Sequence, residues 1–447
     1  MLISWLHRHL FWALALHVAL GFAGRYQPAL VTAWFALAGV WAAADVLASR
    51  DRDDRAALWA MYLCAFEIVY RMGKSYLLWE LGKYLCIAVL LSGLLVRPEQ
   101  ARRGSVFVWY LALLFPGVVV ALSYGAADPT YLRKLMLQHL SGPLTLAFAG
   151  WYFYRRPMAD ERLRLMMQAA FWPMISVLTL LFLGKKVSEI SFAAASNAAA
   201  SGGFGANQVS TALGFGVAVL AYARFRGWRL SGSAWLDTVL LLLLLYRCML
   251  TFSRGGLYAS VGAVLMAFVL TFLSTAAWRR QFGRLSLRLT LFVLALIGAG
   301  WQVNRLTNNA LLLRLQGKTF YETKRGVVIQ ADKQGYLTNR DALMRLELFA
   351  FSEHPFWGVG AGMGTLYRER RFERKFASHT EHTRLLGEHG LPGILILLCF
   401  YLLIPLGHFA RLGGPEQRFW FVLWFVLANA SMLHAQMRLS MPGVAFG

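Results

Sequence analysis

Apolar runs long enough to cross a lipid bilayer recur from one end of this chain to the other, and that recurrence constrains the fold more than any other feature. Lipid offers no hydrogen-bond partners, so each crossing must satisfy its own backbone. Near-continuous Leu, Ala, Val and Phe runs do this as helices. A β-barrel would need short segments of alternating polarity, and the sequence shows none. Candidate spans fall at roughly 10–24, 29–48, 57–72, 77–96, 105–123, 139–154, 165–183, 207–223, 234–251, 256–273, 289–303, 389–410 and 419–435. The first is short, and 57–96 reads either as two helices or as one long broken helix, so about twelve to thirteen spans are expected. With 58% apolar and 14% aromatic residues, a water-soluble surface is excluded for most of the chain. The fold class expected is all-α: a polytopic transmembrane helical bundle over 1–303, a large loop domain of short helices over 304–388, and C-terminal transmembrane helices over 389–447. The stretch after Met1 carries Arg8 and reaches Gly21 and Arg25 without a small-residue cleavage site, so no cleavable signal is expected.

Arginine placement sets the orientation, because short translocated loops avoid Lys and Arg. One set of loops is arginine-rich: Arg50, Arg52 and Arg55; Arg97, Arg102 and Arg103; Arg155, Arg156, Arg162 and Arg164; Arg224, Arg226 and Arg229; Arg279, Arg280, Arg284 and Arg288; Arg411 and Arg418. The intervening loops hold only Arg25, then Arg71 and Lys74, then Arg133 and Lys134, then Lys185 and Lys186, then Arg254. The first set reads as cytoplasmic and the second as outward-facing, which puts 304–388 outside, where a long loop is free to be basic. The net charge of +23 is thereby divided between the cytoplasmic clusters and the outer loop, and no nucleic-acid partner is expected. Cys64, Cys86, Cys248 and Cys399 lie inside apolar runs without CxxC spacing and read as core residues. No internal repeat matches the two halves, which disfavours a lipid-linked sugar transporter as the non-enzymatic alternative.

Chemistry concentrates at the outward-facing end. Arg254, in SRGG at a helix junction, is either functional or an arginine snorkelling to headgroup phosphates. Arg247, seven residues earlier, either lines the same cavity or is a paired structural charge, and Glu67 with Arg71 reads as a mutually neutralising i,i+4 pair. In the loop, 339–353 is an amphipathic helix with Leu343, Leu346, Phe349 and Ala350 on one face behind an Asn339 cap. Gly358, Gly360, Gly362 and Gly364 then form a tight turn or an anion-binding nest. A charged stretch with Arg368, Arg370, Arg371, Arg374 and Lys375 follows. His379, Glu381, His382, Glu388 and His389 cluster on the final short helix. Three readings compete: a metal site begun by His379 and His382, which the lack of an HExxH arrangement disfavours, a solvated face, and an imidazole general base flanked by arginines.

FGANQVSTALGFG (204–216), SRGG (253–256), HPFWGVGAG (354–362) and SHTEHTRLLGEHGLPG (378–393), in that order across this topology, resemble the O-antigen ligase and O-antigen polymerase superfamily. The resemblance implies an integral glycosyltransferase at the outer face of the bacterial inner membrane, with an undecaprenyl-pyrophosphate-linked glycan as donor. It implies a lipid A-core or second lipid-linked glycan as acceptor, and neither a metal nor another cofactor. Counting nine positions back from Glu388 in the LLxExG segment gives His379 as the family's essential histidine. Arg254 matches the SR motif and Arg345 the arginine before the glycine turn. Asn207, Arg247, Glu381, His382, Arg384 and Glu388 are the expected substrate-binding residues. Thr380 stands where the family often has Asn, and an arginine often found before the Asn-containing helix is missing. The basic stretch at 368–375 suits a phosphorylated lipopolysaccharide core, which favours ligase over polymerase.

Overall fold

Thirteen apolar segments form helices, and the chain order explains how they assemble. The computed structural model describes the chain except for residues 1, 75, 124–127, 194, 281, 317, 324–325, 334–338 and 374–377, and describes the backbone alone at 2–4, 282, 318–323, 326–333 and 339–340. Helices α1 to α6 are Leu10–Tyr26, Pro28–Ser49, Arg55–Met72, Leu81–Val96, Val106–Leu122 and Pro129–Phe153. Helices α7 to α11 are Asp160–Phe182, Ala206–Arg226, Ala234–Leu250, Arg254–Ser274 and Phe282–Leu306. The outer loop contributes α12 (Asn339–Glu353), α13 (Gly364–Phe372) and α14 (Glu381–His389). Two long segments close the bundle, α15 (Leu391–Arg411) and α16 (Pro415–Ala435), before the short α17 (Met441–Phe446). The segment 57–96 is therefore two helices. The polytopic all-helical bundle expected from the sequence is the fold, with one addition: an antiparallel hairpin of Lys318–Thr323 and Gly326–Lys333 in the outer loop.

Six of these helices are long and apolar enough to cross a membrane by length and composition, and α1, α4 and α5 are shorter apolar helices. Helices α3, α6, α8 and α9 fall outside both groups because polar residues interrupt them, and α3, α6 and α8 supply polar side chains to the site described below. The centre of the bundle is α3, in which every residue from Ala56 to Arg71 is buried, packed on α7. A helix buried on every side belongs in such a position, and its two charged residues, Glu67 and Arg71, neutralise one another there. Helix α10 packs between α8 and α16. Gly255 and Gly256 make this approach possible: a Cβ at Gly255 would stand 1.7 Å from His434 and one at Gly256 2.2 Å from the Ser210 carbonyl oxygen. A π-helical turn at Leu397–Leu403 relieves α15 just before Pro405.

The loops sort to two faces as the arginine count does. On the arginine-rich face, Arg156 pairs with Asp51 (2.7 Å) and Asp54 (2.6 Å), Tyr152 donates to Asp51 (2.9 Å), and Arg97 donates to the Asp51 carbonyl (2.7 Å). Three cytoplasmic-reading loops thus meet in one polar knot, with Asp51 and Asp54 as its anions. On the opposite face, side chains from α3, α4, α6, α8, α14 and the segment after α16 converge.

Candidate active site

Arg71 anchors the opposite face. It bridges Glu67 (2.7 Å) and Glu80 (3.0 Å), and its guanidinium lies 5.2 Å from the centroid of the Trp79 ring. Lys83 pairs with Glu80 (2.7 Å) and donates to Ser141 (3.1 Å), while Ser440 donates to Glu67 through both its amide and its hydroxyl (2.6 Å each). The expected Glu67–Arg71 pair forms, and it is the inner edge of a larger network. Arg71, Trp79, Glu80 and Lys83 wall a cavity of about 220 Å³, completed by Gln138, His139, Gln208, Glu381, Gln436, Met437 and Arg438.

The loop that presents His379 is held beside this cavity. Arg438 donates to the Ser378 carbonyl (3.1 Å), and Arg368 donates to the Ser378 hydroxyl (3.2 Å). With its amide oriented to suit its neighbours, Gln436 also donates to the Ser378 carbonyl (3.1 Å) and accepts from Arg384 Nε (2.9 Å). On the far side of His379, the Thr380 hydroxyl donates to Glu347 (3.2 Å), which also accepts from Thr383 (2.5 Å) and pairs with Arg368 (3.4 Å). Burial holds the Glu347 carboxyl above its usual range despite these partners. His379 itself is half-buried, with both flanking residues buried and bonded.

Glu381 and Glu388 both pair with the buried Arg384, Glu388 at 2.5 Å. Burial alone would raise the Glu388 carboxyl, but Arg384, His139, the Gly362 N–H and His389 together outweigh it and the group sits below its ordinary range. Glu388 also fills the glycine turn. Its carboxylate accepts the Gly362 N–H (2.8 Å), its carbonyl accepts the Gly360 N–H (3.0 Å), and Gly358, Gly360 and Gly362 all have positive φ (69°, 97° and 77°). The nest suggested by the glycine spacing is thus occupied by the protein's own carboxylate, and the expected substrate contact of Glu388 becomes a brace between turn and helix.

The remaining expected residues divide. Asn207 accepts from Ser253 (2.8 Å), so it and Arg254 stand at one junction of α8 and α10, and Arg254 reaches the Arg314 carbonyl (3.5 Å). Through Gly255 that junction abuts His434, which bonds Thr211 (3.2 Å) and lies four residues before Arg438. Arg345 lies on the exposed side of α12, away from Glu347, and forms no hydrogen bond or ion pair with the described residues. Arg247 is buried between the Leu181 carbonyl (2.5 Å) and the Phe182 ring (4.2 Å to its centroid), the paired structural alternative for that residue. His382 turns into the bundle, with Nε2 3.2 Å from Asn429 and its ring 5.4 Å from that of Tyr401.

Along the basic stretch, Arg368 is committed inward to Glu347 and Arg371 pairs with Glu353 (3.4 Å). Arg374 and Lys375 lie outside the described residues. Sequence reasoning missed Glu347, Arg368, Glu80, Lys83 and Arg438. A signal existed for the last: HAQMR (434–438) is a polar patch directly after the final long apolar run.

Residues 238–398 match the family model described as O-antigen ligase. Over this segment the chain is similar to O-antigen ligase domains, which supports the resemblance to the O-antigen ligase and polymerase superfamily. The matched segment runs from α9 through the outer loop into α15 and includes Arg254, Arg345, His379 and Glu388. It agrees with the order of motifs read from the sequence, and it supports a membrane glycosyltransferase-like enzyme of the ligase or polymerase type. Arg71, Asn207 and Arg438 lie beyond the match and join the domain only in three dimensions. No curated protein matches the chain.

Proposed function

We propose that this O-antigen ligase-type protein transfers a glycan from an undecaprenyl-pyrophosphate donor to an acceptor sugar hydroxyl at the periplasmic face of the inner membrane. The observation that carries the reading is the pinning of Ser378 and Thr380, which fixes the backbone of His379 on both sides next to a polar cavity. Preorganisation of this kind suits a proton-transfer group, whose worth depends on a fixed distance to the reacting hydroxyl.

His379 accepts the proton of the acceptor hydroxyl as its oxygen attacks the anomeric carbon, and the bond from that carbon to the lipid diphosphate breaks. Arg254 and Arg345 stabilise the charge that gathers on the departing diphosphate, an electrostatic contribution that grows as water is excluded. A single displacement inverts the anomeric centre. Arg384, fully engaged with Glu381 and Glu388, supports this arrangement as a positioning residue without a substrate contact of its own.

We favour lipid A-core as the acceptor, a reading supported by the match of residues 238–398 to a family described as O-antigen ligase. A polymerase acting on a second carrier-linked repeat is the alternative, and the inward commitment of Arg368 speaks for it by removing one cation from the outer surface. Deleting the gene separates the two. Loss of a ligase leaves long chains on the carrier, whereas loss of a polymerase leaves cores capped with one repeat. Incubating purified protein with carrier-linked donor and acceptor tests the reading itself: a product with inverted configuration is expected, and a retained configuration contradicts the mechanism.

A further inference from the structure

The cavity beside His379 has a charge pattern that single displacement does not require. Its cations are Arg71, Lys83 and Arg438. The first two form ion pairs with Glu67 and Glu80, whereas Arg438 donates to the Ser378 carbonyl, forms no ion pair among the described residues and feels Glu80 only from beyond contact, with Arg71 opposing it. A half-buried guanidinium with no anion in contact is electrostatically incomplete. The rest of the wall is unsuited to a diphosphate, because the Glu80 and Glu381 carboxylates line it and would repel a concentrated negative charge. Those carboxylates, together with the Gln138 and Gln208 amides, are instead acceptors and donors for hydroxyl groups. Trp79, 45% exposed at the rim, adds an apolar edge of the kind that lies against sugar C–H bonds.

We infer that this cavity is a subsite for a sugar unit carrying one anionic group, a carboxylate or a phosphate, held by Arg438 while Glu80, Glu381 and the glutamines take its hydroxyls. The inference rests on the glycosyl-transfer reading and adds to it a substrate class: glycans with an acidic sugar near the reacting end. The diphosphate of the carrier stays with Arg254, on the α10 side of His434, and with Arg345. Arg438 thereby becomes a specificity-determining residue, because a neutral sugar leaves its charge unmatched.

Ligand-observed NMR on the full chain in detergent tests this with four probes: methyl glucuronide, glucose 6-phosphate, methyl glucoside and inorganic pyrophosphate. At least one of the two acidic sugars is expected to bind tenfold or more tightly than methyl glucoside, and whichever binds better identifies the anion as carboxylate or phosphate. Arg438→Gln is expected to abolish that preference, and Trp79→Ala to weaken neutral and acidic sugars alike. Equal binding of neutral and acidic sugars overturns the inference, as does tighter binding of pyrophosphate than of either acidic sugar. The wild-type comparison decides by itself should Arg438→Gln fail to fold. His379→Ala is expected to bind the acidic probes as wild type does. A wild type that transfers glycan without any acidic preference therefore refutes the subsite alone, and acidic preference without transfer refutes the catalytic reading alone.

Discussion

The Arg438 guanidinium donates to the Ser378 carbonyl across 3.1 Å, tying the residue before His379 to a segment 60 positions further along the chain. This contact joins the outer loop to the end of the helical bundle. With Arg368 on the Ser378 hydroxyl and Glu347 on the Thr380 hydroxyl, it leaves the backbone of the half-buried His379 little freedom. The catalytic proposal depends on this restraint.

Glu347 is the anion on which the clamp converges. Removing it in Glu347→Ala leaves Arg368 buried without its carboxylate and should lower stability by about 3–5 kcal/mol. Thermal unfolding in detergent measures the loss. Replacing both partners, Glu347→Leu with Arg368→Met, should recover most of the stability while transfer stays low, because the His379 loop is no longer held. An unchanged unfolding temperature in Glu347→Ala would show that the pair contributes nothing.

Guanidinium geometry is the requirement at Arg254. Arg254→Lys keeps the charge but loses the planar fork that grips two oxygens at once. Turnover should fall by roughly 10²-fold or more, the range seen when one transition-state donor is lost. Steady-state kinetics at saturating donor reads this out, and near-normal turnover would mean that charge alone suffices.

Backbone conformation is what Gly358 supplies. Its φ is 69°, and a Cβ there would stand 2.3 Å from the Glu388 carbonyl carbon, so Gly358→Ala should cost at least about 1–3 kcal/mol and loosen the α14 brace. Gly283, whose added Cβ would meet nothing within 4 Å, provides the contrast. Gly283→Ala, in a helix, should be neutral or stabilising by up to about 1 kcal/mol. Equal unfolding temperatures for the two variants would contradict the close approach.

Acid should destabilise the fold through His382. Burial lowers its pKa below the ordinary 6.5, against the raising effects of Asn429 and Glu381. The unfolded chain then binds a proton that the folded chain refuses, so stability is constant above 6.5 and falls as pH drops from there towards the folded value. Unfolding temperature measured across this range should show the fall in wild type and a shallower one in His382→Phe. Identical slopes would assign the acid sensitivity to other groups.

The bundle was legible because lipid permits few solutions: every apolar run of spanning length had to become a helix, and each did. The hairpin at 318–333 was overlooked, although Thr319, Phe320, Tyr321, Val327, Val328 and Ile329 are typical strand formers. In α12 the expected apolar face was partly displaced. Leu343 and Ala350 are buried as expected, but Glu347 shares their side while Phe349 is exposed. Nothing local reveals this, since the partners that make burial of Glu347 tolerable lie 21 positions later at Arg368 and 33 later at Thr380. Arg438 was hidden for the same reason. The motif residues could be found by pattern, whereas the groups that hold them are defined by contacts between distant segments.

The most direct test of the account is glycan transfer by purified wild-type and His379→Ala protein, given the same carrier-linked donor and acceptor and matched for unfolding temperature. Wild type should form the product, and His379→Ala should be slower by roughly 10²- to 10⁴-fold, the contribution of a positioned general base. Transfer by His379→Ala at the wild-type rate would contradict the account.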